Sequence, residues 1–321
     1  MDRVLCVVGP TASGKTAVAA ALARELSGEV VSADSMQLYR GMDIGTAKPD
    51  EAERGGVPHH MLDVAEPWEE YSAARYAAEA GACVRDILAR GKLPIVAGGT
   101  GLYVNALLGR VSFEEEQTDP AVRARLEAEA AASGAEALHA RLAAADPDYA
   151  RTVHPNNVRR VIRALEIIET QGITVTERLA RAKARPAAFD AVTIGLCPEP
   201  RELIWERTDR RVGEMLARGL EDEARRLSAL PLSQTARQAI GYKELFAYFD
   251  GKATLSEAAD AIRLHTRQYA KRQLTWFRAD PSVHWILYDR NVKFSLILQK
   301  ARDICQSYGI MRTGDAPQGV S

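Results

Sequence analysis

The 321-residue chain has only four cysteines, Cys6, Cys83, Cys197 and Cys305, and they stand far apart. None forms a C-x-x-C pair or a Cys/His set at zinc-ligand spacing, which excludes a zinc finger and a disulfide framework. Four reduced thiols in a cytoplasmic protein are expected. Long apolar runs are missing as well. No stretch approaches the roughly 20 residues needed to span a bilayer, so no membrane partner is expected. The first residues lack a basic segment followed by an apolar one, so no secretory signal is expected either. Aromatic residues make up only 6% of the chain and the formal net charge is −1.

That near-neutral balance conceals a split. Residues 1–150 carry 14 Lys/Arg against 23 Asp/Glu, whereas residues 151–321 carry 28 against 20. A basic half suits an anionic partner, nucleic acid among them, but it also suits a solvated helical surface. Charge alone does not choose between these.

What the chain does have is glycine in particular places. "VVGPTASGKTAVAAALA" carries an apolar run into a loop and the loop into a helix. It matches G-x-x-x-x-G-K-[ST] through Gly9, Gly14, Lys15 and Thr16. Such a loop cradles phosphate oxygens with consecutive backbone amides and a helix N-terminus. Lys15 adds a mobile charge and the Thr16 hydroxyl is placed to hold Mg²⁺. The pattern does not say whether the phosphate belongs to ATP. A kinase would add a strand-end aspartate as metal ligand. Asp34, at the end of "GEVVSAD", serves equally as that ligand or as a general base.

Short apolar runs alternate with helical stretches over the first 110 residues. "RVLCVV", "GEVVSAD" and "KLPIVAGGTG" read as strands, with helices over Lys15–Leu26 and Ser72–Arg90. This order predicts an α/β fold, a P-loop-type parallel sheet with helices on both faces. Ligands in such sheets lie beyond the carboxyl ends of the strands, so Gly9–Thr16, Asp34–Gln37 and Gly98–Gly101 should converge. After "EEEQTDP" the chain turns helical, over Pro120–Ala145 and again after Asn156 or Asn157 as N-cap. "AVTIGLCPEP" returns as a strand, and Arg201–Arg278 is mostly helical. The expected division is a catalytic core of 1–112 and 191–290, a helical insertion of 113–190, and a disordered tail of 308–321.

"GPTASGKT", "SADSMQLYRGMDIGTAKP", "GGTGLY", "HPNNVRRVIRALE" and "QAIGYKE" occur in this order. Together they resemble the tRNA dimethylallyltransferase (tRNA isopentenyltransferase) family, bacterial type, over about Val4 to Trp285. The resemblance implies transfer of a dimethylallyl group from dimethylallyl diphosphate to N6 of the adenosine 3′ of the anticodon. The loop residues Gly9, Thr11, Ala12, Ser13, Gly14, Lys15 and Thr16 would then hold a diphosphate ester instead of ATP. Asp34 resembles the family's general base, and Thr100 the threonine near the reacting centre. "ERTDRRVGEMLARGL" matches the stretch that supplies an arginine to the leaving diphosphate, here Arg211.

Contacts to the tRNA anticodon stem-loop are implied for Asp34, Ser35, Met36, Gln37 and Thr100. They are implied also for Arg123, Arg159, Arg160 and Arg163, for Gln238, Gly241, Tyr242 and Lys243, and for Arg267 and Lys271. Gln37 is expected to read a base edge, while Trp276 and Phe277 are expected in the core. His59, His60 and His154 carry no assigned role. The chain departs from some relatives in the extra arginine of "NNVRR", and it lacks the zinc finger that eukaryotic relatives add. The remaining alternative is a P-loop kinase for a nucleoside or other small molecule.

Overall fold

The computed structural model describes residues 2–111 and 119–311. Most of the acidic break and of the expected disordered tail lies outside them. Of that tail only 308–311 are described: they follow the helix Phe294–Ser307 as a turn, and Met311 is buried against the core.

The chain divides into two compact units, one of Met1–Leu107 with Phe189–Ser321 and one of Leu108–Ala188. The larger unit is built on six parallel strands. They are β1 (Arg3–Val8), β2 (Glu29–Ser32), β3 (His59–His60), β4 (Pro94–Gly98), β5 (Asp190–Pro198) and β6 (Val283–Tyr288), in the order β3-β2-β4-β1-β5-β6. The central strand RVLCVV is buried along almost its whole length, as a parallel strand covered on both faces must be. Leu5, Val7, Val18, Leu22, Ile194 and Ile297 belong to one core cluster on this sheet. The sequence reading did not anticipate β3 or β6. A two-residue strand has no period, and VHWILY alternates too little to stand out.

β1 feeds the helix Lys15–Glu25, whose N-cap is Gly14 at φ 76°. No side chain caps this helix, so its first amides are left for a ligand. Helix Ala73–Ala89 begins where Ser72 accepts from the Arg75 amide at 3.1 Å. Asp34 lies two residues past β2, which stops at Ser32. The strand is therefore shorter than expected, and Asp34 belongs to the turn that follows. At the end of β4 the chain needs glycine for space: a Cβ on Gly98 would sit 2.1 Å from the Ala33 carbonyl oxygen.

The smaller unit packs helices Pro120–Ala145, Val158–Gln171 and Val175–Ala184 around Leu126, Leu138, Leu142, Val161 and Leu165. The first helix is interrupted at Gly134 (φ 85°, ψ 164°), where the sequence suggested one continuous run. Asn157 holds the N-cap position of the second without donating or accepting through its side chain. The third opens with a full capping box between Thr174 and Glu177.

Candidate active site

The carboxyl ends of β1, β2 and β4 open into a crevice of about 290 Å³. Thr11, Lys15 and Thr16 line it from the phosphate loop, and Asp34, Ser35, Met36 and Gln37 from the turn after β2. Arg211 enters from the helix Arg201–Ala217, and Gln238, Gly241 and Lys243 from the segment before and within the helix Tyr242–Phe249. Four sequence-distant segments singled out above thus meet in one place.

The loop's shape explains its glycines. A Cβ on Gly9 would lie 2.5 Å from the Leu196 carbonyl oxygen, and Ala12 takes a positive φ of 65°. Ser13 donates its amide to the Pro10 carbonyl at 3.2 Å, while its hydroxyl is buried without a partner.

The electrostatics are uneven. Lys15 donates to the Pro10 carbonyl at 3.3 Å. Burial first, and then the positive charge of Arg211, push its ammonium down to about 8, with Asp34 opposing them. Burial lowers Arg211 as well, again against Asp34, and the Arg211 Nε is buried with no hydrogen-bond partner. Two partly buried cations therefore face the Asp34 carboxylate, and Glu53 and Glu214 also act on Arg211. An uncompensated buried charge is costly, so this arrangement suits an anionic ligand that brings at least two negative charges.

Asp34 is fixed by its own turn. Its Oδ1 accepts from the Met36 amide at 2.9 Å and the Gln37 amide at 3.4 Å. Thr100 does not line the crevice; its hydroxyl accepts from the Ser35 amide at 3.0 Å. The next stretch, "GMDIGTAKP", is held by two buried charges. Glu223 accepts from the amides of Asp43 (3.0 Å), Ile44 (2.9 Å) and Gly45 (3.0 Å). Lys48 donates to the Tyr39 carbonyl at 2.8 Å and to the Asp43 and Asp63 carboxylates.

Several expectations need correction. Tyr242 is fully buried and its hydroxyl donates to Glu223 at 2.7 Å, so its side chain shapes the loop and is not on a surface RNA can reach. Gln37 lines the crevice, but its amide is engaged within the turn. It donates to Thr46 and Ala47 carbonyls (3.3 and 3.1 Å) and accepts from Ser32 at 3.1 Å, leaving no free amide to read a base. Trp276 is 44% exposed beside Gly101, whereas Phe277 is in the core as expected.

Other sequence-selected residues stand apart from the crevice lining. Arg267 is bound by Asp209, with Nε donating at 2.8 Å, and Lys271 is exposed. In the smaller unit Arg159 is exposed, and Arg160 donates to the Tyr149 hydroxyl at 2.9 Å. Arg123 and Arg163 both donate to Oε2 of the buried Glu166 (2.8 and 3.0 Å).

Sequence reasoning missed three features of the crevice. Met215, Ile240 and Ile262 form an apolar wall; Tyr269 and Arg272 lie on the helix Leu255–Arg278; and the buried Gln273 stands beneath the phosphate loop. Met215, Ile240 and Ile262 follow ordinary helical or loop patterns, so nothing in the sequence separates them from core residues.

Among the described residues no group of three or more His, Cys, Asp or Glu is placed to hold a metal ion. Nor is any helix there long and apolar enough to cross a membrane. None of the four cysteines is in a disulfide, and three of them are buried.

A phosphate-loop α/β fold whose crevice is lined by two cations, a strand-end carboxylate and apolar side chains is that of a group transferase. The chain belongs to the IPP transferase family, whose model matches residues 37–280, and a second model, Isopentenyl transferase, matches residues 2–66. A tRNA dimethylallyltransferase of Bacillus velezensis is 49% identical over 283 residues, covering 88% of this chain and 90% of the relative. One from Anaeromyxobacter sp. is 51% identical, covering 89% and 95%. The crystal structure of the tRNA isopentenylpyrophosphate transferase of Bacillus halodurans has a TM-score of 0.72 and 42% identity, covering 96% of each chain. A eukaryotic dimethylallyltransferase caught acting on tRNA has a TM-score of 0.79 and 30% identity, covering 96% of this chain and 79% of that one.

Proposed function

We propose that this protein transfers a dimethylallyl group from dimethylallyl diphosphate to N6 of the adenosine 3′ of the anticodon, releasing diphosphate, and works on tRNA in the cytoplasm. The observation that carries this reading is that Lys15, Arg211 and the Asp34 carboxylate line one crevice together with Met215, Ile240 and Ile262. The cations suit a diphosphate and the wall suits its prenyl chain. Asp34 suits the proton that must leave.

An adenine N6 amine is a weak nucleophile because its lone pair is delocalised into the ring. In this reading, N6 forms its new bond to the prenyl carbon as the bond from that carbon to the diphosphate oxygen breaks. The N6 proton passes to Asp34. The Asp34 Oδ1 is held by backbone amides, which leaves Oδ2 to accept it. The bonding electrons leave with diphosphate, whose charge is met by the loop amides, Lys15 and Arg211. A base within the stacked anticodon loop has to be extruded to reach this depth. Ser35, Met36, Gln238, Gly241 and Lys243 line the space it would enter.

Magnesium fits the same site through the Thr16 hydroxyl, which lines the crevice with Asp34. In this reading the ion would be held chiefly by diphosphate oxygens and water, with the Thr16 hydroxyl as the protein's ligand. When bound, it supplies charge neutralisation to the leaving diphosphate.

The test uses purified protein, unmodified tRNA with adenosine 3′ of the anticodon, Mg²⁺ and dimethylallyl diphosphate. Mass spectrometry of the digested nucleosides should show prenylated adenosine, with ATP inert as donor. ATP turnover without a prenylated product would replace this reading by that of a kinase.

A further inference from the structure

Gln273 lies in the helix Leu255–Arg278 and is only 4% exposed. Its two amide atoms reach two different loops. Oε1 accepts from the Thr11 amide at 2.8 Å and from the Thr11 hydroxyl at 3.1 Å. Nε2 donates to the Gly99 carbonyl at 3.1 Å. The partners fix the orientation of the amide, because a backbone N–H requires an acceptor and a carbonyl requires a donor. Gly99 accommodates it: a Cβ there would lie 2.0 Å from Nε2.

The connection continues. Gly99 is followed directly in the chain by Thr100. Thr100 accepts from the Ser35 amide, next to Asp34. Two hydrogen-bonded links joined by the Gly99–Thr100 backbone therefore run from the loop expected to hold the diphosphate to the turn that carries the proposed base.

We infer that Gln273 is a positioning residue that couples the diphosphate subsite to the acceptor subsite. The inference rests on the proposed transfer reaction. Thr11 is the end of the chain that a bound diphosphate would touch, and Ser35 is the end that a bound base would touch. Ordering Thr11 orders the Gln273 amide, and through Gly99 and Thr100 it orders the turn at Ser35. Each ligand then binds more tightly when the other is present, by the same factor in both directions. Only an amide performs this task. A carboxylate would face the Gly99 carbonyl with no proton to donate, and an aliphatic side chain would leave three buried polar groups without partners.

The experiment measures tRNA affinity with and without inorganic diphosphate and Mg²⁺. Inorganic diphosphate has no prenyl chain and so cannot touch the base. The full-length protein is compared with Gln273→Glu and with Gly99→Ala, which disturbs the same contact from its other end. Thermal unfolding is followed in parallel to show that the variants are folded. Diphosphate should tighten tRNA binding about tenfold in the unaltered protein. Both variants should reduce that factor to near one, with each ligand's affinity alone changed less than about threefold. Unaltered protein that binds both ligands with a factor of one, or a folded variant that keeps the full factor, overturns the coupling and leaves the transfer reading intact. Unaltered protein that binds neither ligand overturns both.

Discussion

Burial and the charge of Arg211 together hold Lys15 near pKa 8, although the two residues come from the two separate stretches of chain that make up the larger unit. This repulsion is stored in the free protein and relieved by an anion. Replacing Arg211 by glutamine should therefore raise the stability of the free protein by about 1 kcal/mol while lowering activity, a trade common at strained sites. The expected loss in kcat is on the order of 10²–10³, the usual effect of removing one preorganised stabiliser of developing charge. Thermal denaturation and steady-state kinetics on the same preparation check both parts.

The Lys15 shift also predicts a pH dependence. Its folded value near 8 lies below its ordinary 10.5, so the unfolded chain binds more protons between those values. The stability of the free protein should rise across that window, with the full penalty present below 8. Dimethylallyl diphosphate restores the charge. Binding near pH 9 should take up close to one proton, and affinity should fall about tenfold for each pH unit above 8. Calorimetry in buffers of different ionisation enthalpy measures the uptake. A Lys15→Arg protein that still takes up the proton would show that another group is responsible.

Asp34→Asn separates chemistry from structure. Asparagine keeps the oxygen that accepts from the Met36 and Gln37 amides, so the turn should survive. It cannot take the N6 proton. We expect kcat to fall by roughly 10²–10⁴ with tRNA affinity held within about threefold. Filter binding and single-turnover prenylation distinguish this from a loss of binding.

Glu223 is the keystone of the "GMDIG" loop, accepting three amides and the Tyr242 hydroxyl. Tyr242→Phe removes one hydrogen bond and should cost about 1 kcal/mol of stability. Glu223→Ala strands four donors and should cost roughly 3–5 kcal/mol. Urea denaturation gives both values. Equal costs would mean that the carboxylate contributes little beyond its bond to Tyr242.

In the smaller unit, Glu166 presents Arg123 and Arg163 from a single carboxylate oxygen. If these arginines meet tRNA phosphates, each alanine variant should weaken binding for all tRNAs alike and reduce the slope of log K against log salt by about 1. An unchanged slope would confine both residues to the fold.

Much of this protein was legible along its chain. The phosphate loop, the parallel sheet and the turn at Asp34 are local: each follows from a short apolar run, a glycine at a set place or a strand-to-helix junction. The sequence by itself also carried the family resemblance, because "DSMQLYRGMDIGTAKP" is too particular to arise from secondary structure alone. The tertiary structure decided what depends on partners far away in sequence. Tyr242 looked like an available aromatic until Glu223 was seen to hold it in the core. Gln37 looked free to read a base until Thr46 and Ala47 took its amide. Gln273 gave no sign of its place between Thr11 and Gly99. Burial and hydrogen-bond satisfaction belong to the folded surroundings of a side chain, and periodicity records only which face of an element is apolar.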